Sequence, residues 1–325
     1  MNYATIGTSW ITEKFISSAN TINNFDLTAV YSRDSEKAEA FAQKFNVNHF
    51  FTNLDEMAKS DFFDAVYIAS PNKFHYEQSK LFLLNGKNVI CEKPATTTTA
   101  EMQELIALAE SKGLVYVEAI MTIHTSGYKE IIKAIDSIGN VRSAHFDFYQ
   151  LSSKYNLYLS GKNPNIFNPK MHTGCLMDIG VYNIYLAAGL FGLPESIISD
   201  SIKLENGCDA AGTAILKYHN LSVVLNYSKV GQTYSYSEII GDKGTILFTS
   251  VSQLTGMHIK NNESEKCLIP EEVSRDEIMN GEIKFFLKMC TTKDFTDADY
   301  IFAQNTAIIV RKICDEIRSK NNFLF

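Results

Sequence analysis

Short apolar runs alternate with segments of helical periodicity over the first 120 residues. In one such segment Ala38, Phe41 and Phe45 share a helical face, while charged residues occupy other positions. The runs at 65–69 and 89–91 are continuously apolar, as is typical of strands buried on both faces of a sheet. The predicted strands are 3–7, 26–31, 65–69, 89–91 and 114–118, and the predicted helices are 10–20, 35–45, 54–59, 74–85 and 99–112, the last with Thr99 as its N-cap. This alternation predicts an α/β fold with a parallel, doubly wound sheet.

Beyond Met121 the pattern changes to consecutive strands. The predicted strands are 141–149, 197–204, 211–218, 221–229, 235–241 and 244–249, and the predicted helices are 128–138, 178–191 and 300–319. Short turns between the strands, such as 219–220 and 242–244, favour hairpins and a large, mainly antiparallel sheet. We therefore predict two domains, at residues 1–120 and 121–325.

Composition narrows the class of protein. The 325 residues carry a net charge of −7 without a basic block, which argues against a nucleic-acid partner. The six cysteines are scattered without a Cys-x-x-Cys pair, so neither a zinc site nor a disulfide framework is expected, and no other metal constellation stands out. The N-terminus lacks a signal-peptide pattern, and no apolar run looks long enough to cross a bilayer. We expect a cytoplasmic protein with no membrane partner.

The first strand leads into a turn that is a candidate dinucleotide site. The turn reads Gly7-Thr8-Ser9-Trp10-Ile11-Thr12. A dinucleotide fingerprint has glycine at the first, third and sixth of these positions, and only the first is glycine here. Serine is small enough to let the backbone approach a pyrophosphate, and the helix N-terminus offers free N–H groups. An ordinary tight turn is the alternative.

The end of the second strand bears on the choice of cofactor. It reads Ser32-Arg33-Asp34. An arginine at this point can hold a 2′-phosphate with two hydrogen bonds, whereas an acidic residue accepts from the ribose 2′-hydroxyl. Ser32 and Arg33 favour NADP, and Asp34 keeps NAD open. The alternative is an exposed arginine at the start of a helix.

One further segment follows a predicted strand, at the sheet edge where ligands bind. Ser70-Pro71-Asn72 comes directly after the buried strand 65–69, where a nicotinamide ribose would lie. A simple Pro-Asn turn is the alternative. His75, just beyond, is interpreted as a helix-start residue near the cofactor and not as a base.

The most informative stretch is 86–94, Gly-Lys-Asn-Val-Ile-Cys-Glu-Lys-Pro. Lys93 follows a short apolar strand and precedes a proline that cannot continue the sheet. A lysine at the carboxyl end of a parallel strand is a candidate catalytic group. Glu-Lys-Pro alone also occurs by chance in many loops, so its position in the pattern gives it weight.

A second informative stretch, 174–183, reads Gly-Cys-Leu-Met-Asp-Ile-Gly-Val-Tyr-Asn. If a helix opens at Asp178, then Asp178 and Tyr182 are four residues apart and share a face. A carboxylate and a phenol on one face can orient a substrate and exchange its proton. The alternative is an N-cap aspartate with a core tyrosine. His124, His145 and His172 are isolated and are interpreted as structural or exposed.

Together these segments resemble the glucose–fructose oxidoreductase / inositol dehydrogenase (Gfo/Idh/MocA) family. The matching features are Gly7, 70–72, 86–94, Glu118-Ala119 and 174–182, which follow in order along essentially the whole chain. The resemblance implies an NAD(P)-binding Rossmann domain, then an α/β domain that binds substrate and forms oligomers through its open sheet. It also implies NAD(P)-dependent hydride transfer on sugars, polyols or related alcohols.

The resemblance also implies roles for particular residues. Lys93 and Asp178 match the family's active-site lysine and aspartate, and Glu92 and Glu118 belong to segments near the cofactor. Tyr182 stands where many members carry histidine and is similar to the glucose–fructose oxidoreductase and dimeric dihydrodiol dehydrogenase branches. Those branches often have Trp-Thr-Arg at the position of residues 121–123, where this chain has Met-Thr-Ile. This difference puts the substrates of those branches in question for this chain.

The sequence therefore predicts an NAD(P)-dependent oxidoreductase that interconverts a secondary alcohol and a carbonyl on a small polyhydroxy substrate. Tyr182 would donate or accept the proton; since a free tyrosine has a pKa of about 10, Lys93 would favour its phenolate, and Asp178 would hold a substrate hydroxyl. The cofactor would be NADP or NAD, with NADP favoured. The rivals are a non-catalytic nucleotide or sugar sensor on the same fold and a lyase or hydrolase that uses NAD for transient oxidation.

Strands of the second domain also predict self-association. The runs 214–216 and 223–225 look apolar on both faces, and the few helices predicted there could cover only one face. A bare apolar face of that size is unusual for a monomer. We expect a homodimer or homotetramer formed through this sheet.

Overall fold

The computed structural model describes residues 1–323, which form two compact units. The first unit contains Met1–Ala119 together with Arg275–Gln304, and the second contains Ile120–Ser274 and the chain from Asn305 onward. The sequence does not predict that residues 275–304 group with the first unit.

Fourteen β-strands lie within the described residues. They are β1 (Asn2–Ile6), β2 (Asp26–Tyr31), β3 (His49–Phe51), β4 (Ala65–Ile68), β5 (Asn88–Glu92), β6 (Tyr116–Ala119), β7 (Val141–Tyr149), β8 (Ser196–Lys203), β9 (Asp209–Tyr218), β10 (Leu221–Ser228), β11 (Ser237–Gly241), β12 (Thr245–Phe248), β13 (Met257–Lys260) and β14 (Glu265–Ile269).

Ten α-helices lie in the same range. They are α1 (Trp10–Ala19), α2 (Ser35–Lys44), α3 (Leu54–Lys59), α4 (His75–Leu84), α5 (Thr99–Ser111), α6 (Ser126–Ala134), α7 (Tyr155–Leu159), α8 (Val181–Phe191), α9 (Arg275–Thr292) and α10 (Ala298–Asn321).

The first unit is built on a six-stranded parallel sheet in the order β3-β2-β1-β4-β5-β6. The order reverses between β1 and β4, and the carboxyl ends of strands at such a switch point form a crevice where ligands bind. The predicted parallel, doubly wound fold of this part of the chain is confirmed.

Local side-chain bonds fix where the helices of this unit begin. The Asp34 carboxylate accepts from the Lys37 N–H at 3.1 Å and caps α2. At α5 the Thr98 hydroxyl accepts from the Glu101 N–H at 3.2 Å, and the Glu101 carboxylate accepts from the Thr98 N–H at 3.1 Å. This reciprocal pair is a capping box, so the predicted N-cap at Thr99 is wrong by one residue.

Aromatic rings form much of the core beneath α1. Tyr3 stacks on Phe25 with ring centroids 4.2 Å apart, and Phe15 stacks on Tyr67 at 3.7 Å. Phe286 of α9 meets Phe25 edge-on at 6.5 Å. Residues 275–304 therefore contribute to the core of the first unit even though they are distant from it in sequence.

The second unit is built on an eight-stranded sheet in the order β14-β13-β12-β11-β7-β10-β9-β8. The β7–β10 pair is parallel and the remaining pairs are antiparallel. The prediction of a large, mainly antiparallel sheet is confirmed. The strands β13 and β14, like β3 in the first unit, are not predicted by the sequence pattern.

Helix α8 packs against β7 and β10 and covers one face of this sheet. It is preceded by a π-helical turn, Leu176–Gly180, so the prediction that a helix opens at Asp178 is wrong: Asp178 lies in the middle of that turn. By length and composition, the segment Pro169–Phe191 is apolar enough to cross a membrane, contrary to the sequence expectation. Since 72% of its most apolar stretch is buried inside the protein, this apolarity belongs to a core helix.

The opposite face of the sheet is mixed in polarity, so the expectation of strands apolar on both faces is only partly met. Val223 and Leu225 are buried on the α8 side. On the other side, Val224 pairs with Ile215, and Ile215 pairs with Ile198, which is 55% exposed. The next row on that face is polar: Thr213 donates to Asn226, which donates to Asp147.

Candidate active site

The turn after β1 brings the main chains of two strand ends into close contact. Gly7 has a φ of +110°, a conformation that favours glycine. A Cβ atom at Gly7 would lie 2.6 Å from the Ala69 carbonyl oxygen, so a side chain there would push the two turns apart. Ser9 is the N-cap of α1 and makes no side-chain cap bond. The Ser9 side chain therefore does not cap the first N–H groups of α1, which a pyrophosphate site requires to be available.

The turn after β2 presents two cations beside one carboxylate. Asp34 caps α2 and lies 3.6 Å from the Lys37 ammonium. The backbone N–H of Lys37 holds the pKa of Asp34 below its usual value. The Asp34 carboxylate is therefore engaged at the start of α2, while Arg33 and Lys37 supply positive charge at the same point.

These turns surround a cavity of about 480 Å³ in the first unit. Its lining includes Gly7, Thr8, Ser9, Ser32, Arg33, Ser70 and Pro71 from the predicted cofactor residues, together with Ile6, Tyr31, Asp34, Lys37, Leu54, Ala69, Phe74 and Gln78. A glycine that no side chain can replace, a helix N-terminus and a basic pair line one cavity, which fits an NADP-type dinucleotide. The other residues predicted near the cofactor do not line it: Trp10, Ile11, Asn72, His75, Glu92, Lys93 and Glu118.

The turns after β4 and β5 are joined through a buried histidine. The two ring nitrogens of His75 lie 2.6 Å from the Ser70 carbonyl oxygen and 2.9 Å from that of Pro94. Burial lowers the pKa of His75. The Ser70 hydroxyl donates to Gln78 at 2.6 Å. His75 thus acts as a brace between the two turns, in line with its interpretation as a residue that is not a base.

Lys93 follows β5 beside a buried carboxyl cluster. The Tyr67 hydroxyl donates to the Glu92 carboxylate at 2.6 Å, and burial raises the pKa of Glu92. Burial and the neighbouring Glu92 raise the pKa of Glu282, on α9, well above its usual value. These groups and the brace at Pro94 fix the main chain on both sides of Lys93.

Glu118, which the family resemblance places near the cofactor, is buried at the end of β6. Its carboxylate accepts from the Ala95 N–H at 2.8 Å. This bond ties the end of β6 to the chain just after Lys93 and gives Glu118 a structural task in this turn.

In the second unit, Asp178 is held by a lysine that the sequence did not single out. The Lys229 ammonium contacts the Asp178 carboxylate, and Lys229 is only 7% exposed. Nearby, the buried Asp209 accepts from the Leu176 N–H at 2.6 Å. A Cβ at Gly174 would overlap the Asp209 carboxylate, so glycine is required at this position. The π turn is therefore attached to the sheet at Leu176 and at Asp178.

Tyr182 lies in the first turn of α8. Its ring packs against Phe148 of β7 with centroids 5.7 Å apart. The adjacent Asn183 is buried and donates to the carbonyl oxygens of Phe146 at 3.0 Å and Asn226 at 2.8 Å. These bonds anchor α8 to the parallel pair β7–β10 and fix the helix that presents Tyr182.

The isolated histidines His124 and His172 have different surroundings. His124 is half-buried, and desolvation of its ring lowers its pKa to about 4, so it is neutral at ordinary pH. His172 is in the left-handed region with a φ of 54°.

The sequence missed four polar residues of these sites. Lys37 and Gln78 lie on helices that were predicted, yet nothing in the helical pattern distinguishes them. Asp209 precedes the first strand of a predicted hairpin, and Lys229 ends the second. Because β9 and β10 pair in antiparallel register, with Ala211 opposite Ser228, residues 209 and 229 are neighbours in space. This register is the signal from which the sequence could have identified the two residues.

Comparisons with known proteins agree with this architecture. A family model described as the Gfo/Idh/MocA oxidoreductase family, NAD-binding Rossmann fold, matches residues 1–119, and one for the Gfo/Idh/MocA C-terminal domain matches residues 128–247.

Curated relatives are similar over most of their length. The chain is 44% identical over 273 residues to scyllo-inositol 2-dehydrogenase (NADP(+)) IolU of Bacillus subtilis (strain 168), covering 83% of each chain. It is 28% identical over 278 residues to trans-1,2-dihydrobenzene-1,2-diol dehydrogenase of Xenopus tropicalis, covering 83% of this chain and 82% of the relative.

Among solved structures, KijD10, a 3-ketoreductase from Actinomadura kijaniata in complex with NADP and TDP-benzene, superposes with a TM-score of 0.85. The superposition covers 98% of this chain and 97% of the other at 20% sequence identity. At that identity the likeness shows the fold alone.

Proposed function

Because the chain belongs to the Gfo/Idh/MocA family of NAD(P)-dependent oxidoreductases, we propose that it is a dehydrogenase that uses NADP(H) on a cyclic polyol of the inositol type. The reaction interconverts a secondary alcohol and the corresponding ketone. The observation that carries the substrate class is the 44% identity to an NADP-dependent scyllo-inositol dehydrogenase over 83% of both chains. The basic pair in the cavity of the first unit supports the phosphorylated cofactor.

Each candidate residue has a defined task in this proposal. The nicotinamide cofactor accepts or supplies the hydride when bound. The turn at Gly7 and the start of α1 hold its pyrophosphate, and Ser32, Arg33 and Lys37 hold its 2′-phosphate. Tyr182 exchanges the hydroxyl proton of the substrate.

Lys93 and Asp178 complete the set. The positive charge of Lys93 favours the phenolate form of the catalytic tyrosine. The carboxylate of Asp178 accepts a hydrogen bond from a substrate hydroxyl, which orients the polyol for proton transfer.

A substrate screen tests the proposal. The purified protein is incubated with scyllo-inositol, myo-inositol, glucose or a trans-dihydrodiol, with NADP⁺ or NAD⁺, while absorbance of the reduced nicotinamide is followed. We expect an inositol with NADP⁺ to give the highest kcat/KM. A higher value with the dihydrodiol would overturn the substrate class. Product formation without accumulation of reduced cofactor would instead identify transient oxidation, as in a lyase or hydrolase.

Replacing Arg33 by alanine is expected to weaken NADPH binding far more than NADH binding, because the 2′-phosphate loses its two-pronged partner. We expect about a tenfold or greater increase in Kd for NADPH, in line with the loss of a charge-assisted hydrogen bond. Fluorescence titration of both reduced cofactors measures the ratio.

Arg142→Ala serves as the control, because Arg142 is exposed on the second unit beside Asp242. Equal losses for NADPH and NADH in Arg33→Ala would show that this arginine does not bind the phosphate.

The open face of the eight-stranded sheet supports a second proposal, that the protein is a homodimer or homotetramer formed through this face. The row Ile198, Ile215 and Val224 gives it an apolar centre beside polar positions. Light scattering is expected to give at least twice the chain mass of 36.5 kDa. Val224→Lys should shift the protein towards the monomer, because a charge buried at an interface without a partner is costly.

Leu193→Lys is the matched control, because Leu193 is 52% exposed and lies outside the sheet strands. A wild-type mass near 36.5 kDa at assay concentrations would exclude the assembly.

A further inference from the structure

Lys229 is buried, and its main chain is fixed. It follows β10 directly, its N–H donates to the Ala210 carbonyl at 2.9 Å, and its carbonyl accepts from the Ser152 N–H at 2.9 Å. A buried ammonium is costly unless a hydrogen-bonded anion accompanies it. With the backbone held from two sides, the position of the side chain is set by what it contacts.

The Asp178 carboxylate provides that anion. The side chain of Asp178 is 22% exposed and that of Lys229 is 9% exposed, so the pair presents its carboxylate outward and its ammonium inward. A third charged residue, Asp209, lies at the base of the π turn and is itself buried. Burial, with a contribution from Asp178, raises the pKa of Asp209 to about 6. At neutral pH the Asp178 carboxylate therefore has the Lys229 ammonium on one side and a second carboxylate, Asp209, nearby.

We propose that Lys229 is a positioning residue that holds the Asp178 carboxylate ionised and correctly oriented to accept a substrate hydroxyl. The inference rests on the role given to Asp178 under the proposed function and adds a residue that the family resemblance did not supply. Without the ammonium, the ionised form of Asp178 loses its opposite charge and keeps the repulsion of Asp209. The carboxylate also loses its contact with the fixed Lys229 ammonium.

The geometry distinguishes this role from simple stabilisation of the fold. The π turn is already attached to β9 through Asp209 and to its own chain through the Asp178 N–H, which donates to the Gly174 carbonyl at 3.0 Å. The ion pair adds a contact to the one carboxylate in this cluster that is partly exposed.

Other titratable groups face the pair and must be separated from it. They are Asp209 on β9, Cys175 beside the π turn and Cys208 just before β9. Tyr227 on β10 lies near Asp209 and Cys175, and Tyr149 at the end of β7 lies near Cys175. Burial raises the pKa of Cys208 to about 12. Burial raises the pKa of Cys175 and of Tyr227 well above the usual values, so both are neutral over an ordinary assay range. Burial also raises the pKa of Tyr149. Asp209 is therefore the competing group in the acid range.

The test compares Lys229→Met with Lys229→Arg. Methionine keeps the length of the stem and removes the charge, whereas arginine keeps the charge. For Lys229→Met we expect kcat/KM for the polyol to fall by roughly 10²-fold, as for a misplaced reacting group. We also expect the acid limb of its pH profile, the range in which kcat/KM rises as Asp178 loses its proton, to move up by about one pH unit or more. The reason is that an opposite charge beside an aspartate lowers the pKa of that aspartate by about this amount. Lys229→Arg should keep the acid limb near the wild-type position.

Two further measurements make the result specific. The Kd for NADPH, measured by fluorescence, should stay within about twofold in both variants, because Lys229 belongs to the second unit and not to the cofactor cavity. In an Asp209→Asn background the acid limb should still move on removal of the ammonium, which assigns the shift to Asp178. Lys260→Met, which breaks an exposed ion pair with Glu265 in the same sheet, is the control and should keep wild-type kinetics.

A readout without substrate separates failure of this inference from failure of the proposed function. In protein labelled with ¹³C at aspartate carboxyl groups, the Asp178 signal, assigned with Asp178→Asn, should titrate at higher pH in Lys229→Met than in the wild type. An unmoved signal, or equal loss of activity in the Met and Arg variants with only a lower Tm, would overturn the role of Lys229. If Lys229→Met does not fold, an Asp178 signal that titrates at a clearly higher pH in Lys229→Arg than in the wild type would overturn it as well.

Discussion

Tyr182→Phe is expected to lower kcat by roughly 10²–10⁴-fold, because it removes the proton that the proposed mechanism transfers. Phenylalanine keeps the ring that packs against Phe148, and the Asn183 bonds that anchor α8 remain. The fold and NADPH binding should therefore be preserved. Single-turnover kinetics under saturating polyol and cofactor measure the loss in the chemical step.

Tyr218→Phe is the control for this variant. The Tyr218 hydroxyl donates to the Gly192 carbonyl at 3.2 Å, so its loss should affect stability and leave turnover near the wild-type value. If Tyr182→Phe kept nearly full turnover while chemistry limited the rate, the proton role would be wrong. His172 and the neutral, half-buried His124 would then be the next residues to replace.

Lys93→Met is expected to be comparably damaging, with kcat reduced by roughly 10²–10⁴-fold. Methionine retains the apolar stem and removes the charge that favours a phenolate. The surrounding turn should keep its shape, because Glu92, Glu118 and His75 fix it through bonds that do not use the Lys93 ammonium. A weaker effect on the Kd for NADPH than on kcat would assign the loss to chemistry.

The double variant Lys93→Met/Tyr182→Phe gives a further check. If both residues serve one proton transfer, its kcat should be close to that of the worse single variant, because residues that act in one step are not additive. Fully multiplied losses would show that they act in separate steps. Lys59→Met, at an exposed position of α3, is the control for removing a lysine from the first unit.

The parts of the fold that the sequence predicts best are those in which local pattern and burial agree. β4 is apolar and buried throughout, β5 has an apolar, buried centre at 89–91, and α2 shows a clear apolar face, so their positions follow from hydrophobic spacing. The strand β3 has three residues and β14 is mostly exposed, so neither provides the apolar alternation that identifies a strand. Helix α9 buries Glu282 beside apolar residues, which weakens its helical pattern.

The residues of the candidate site also divide into those that the local sequence pattern predicts and those that depend on the tertiary structure. Gly7, Arg33 and Lys93 follow strand ends in the sequence, so the rule that ligands bind at the carboxyl edge of a parallel sheet was sufficient to select them. The pairing of Asp178 with Lys229 joins residues 51 positions apart, and it depends on a π turn that no helical periodicity predicts. Which residues line the cavity also depends on side-chain direction, as with Trp10, which is 60% exposed and packs against Arg275.

The late return of the chain to the first unit bears on how the protein is made. During synthesis, residues 1–119 leave the ribosome long before α9 is made. Phe25 can therefore pack against Phe286, and Glu92 can lie beside Glu282, only after α9 has been synthesised. N-terminal domains generally fold first as they emerge, but this one is completed only after most of the second unit has been translated. A fragment ending near residue 120 would therefore expose an unfinished core to aggregation. The chain should therefore be expressed whole, and truncation or domain exchange near residue 120 should be avoided, although the chain forms two compact units.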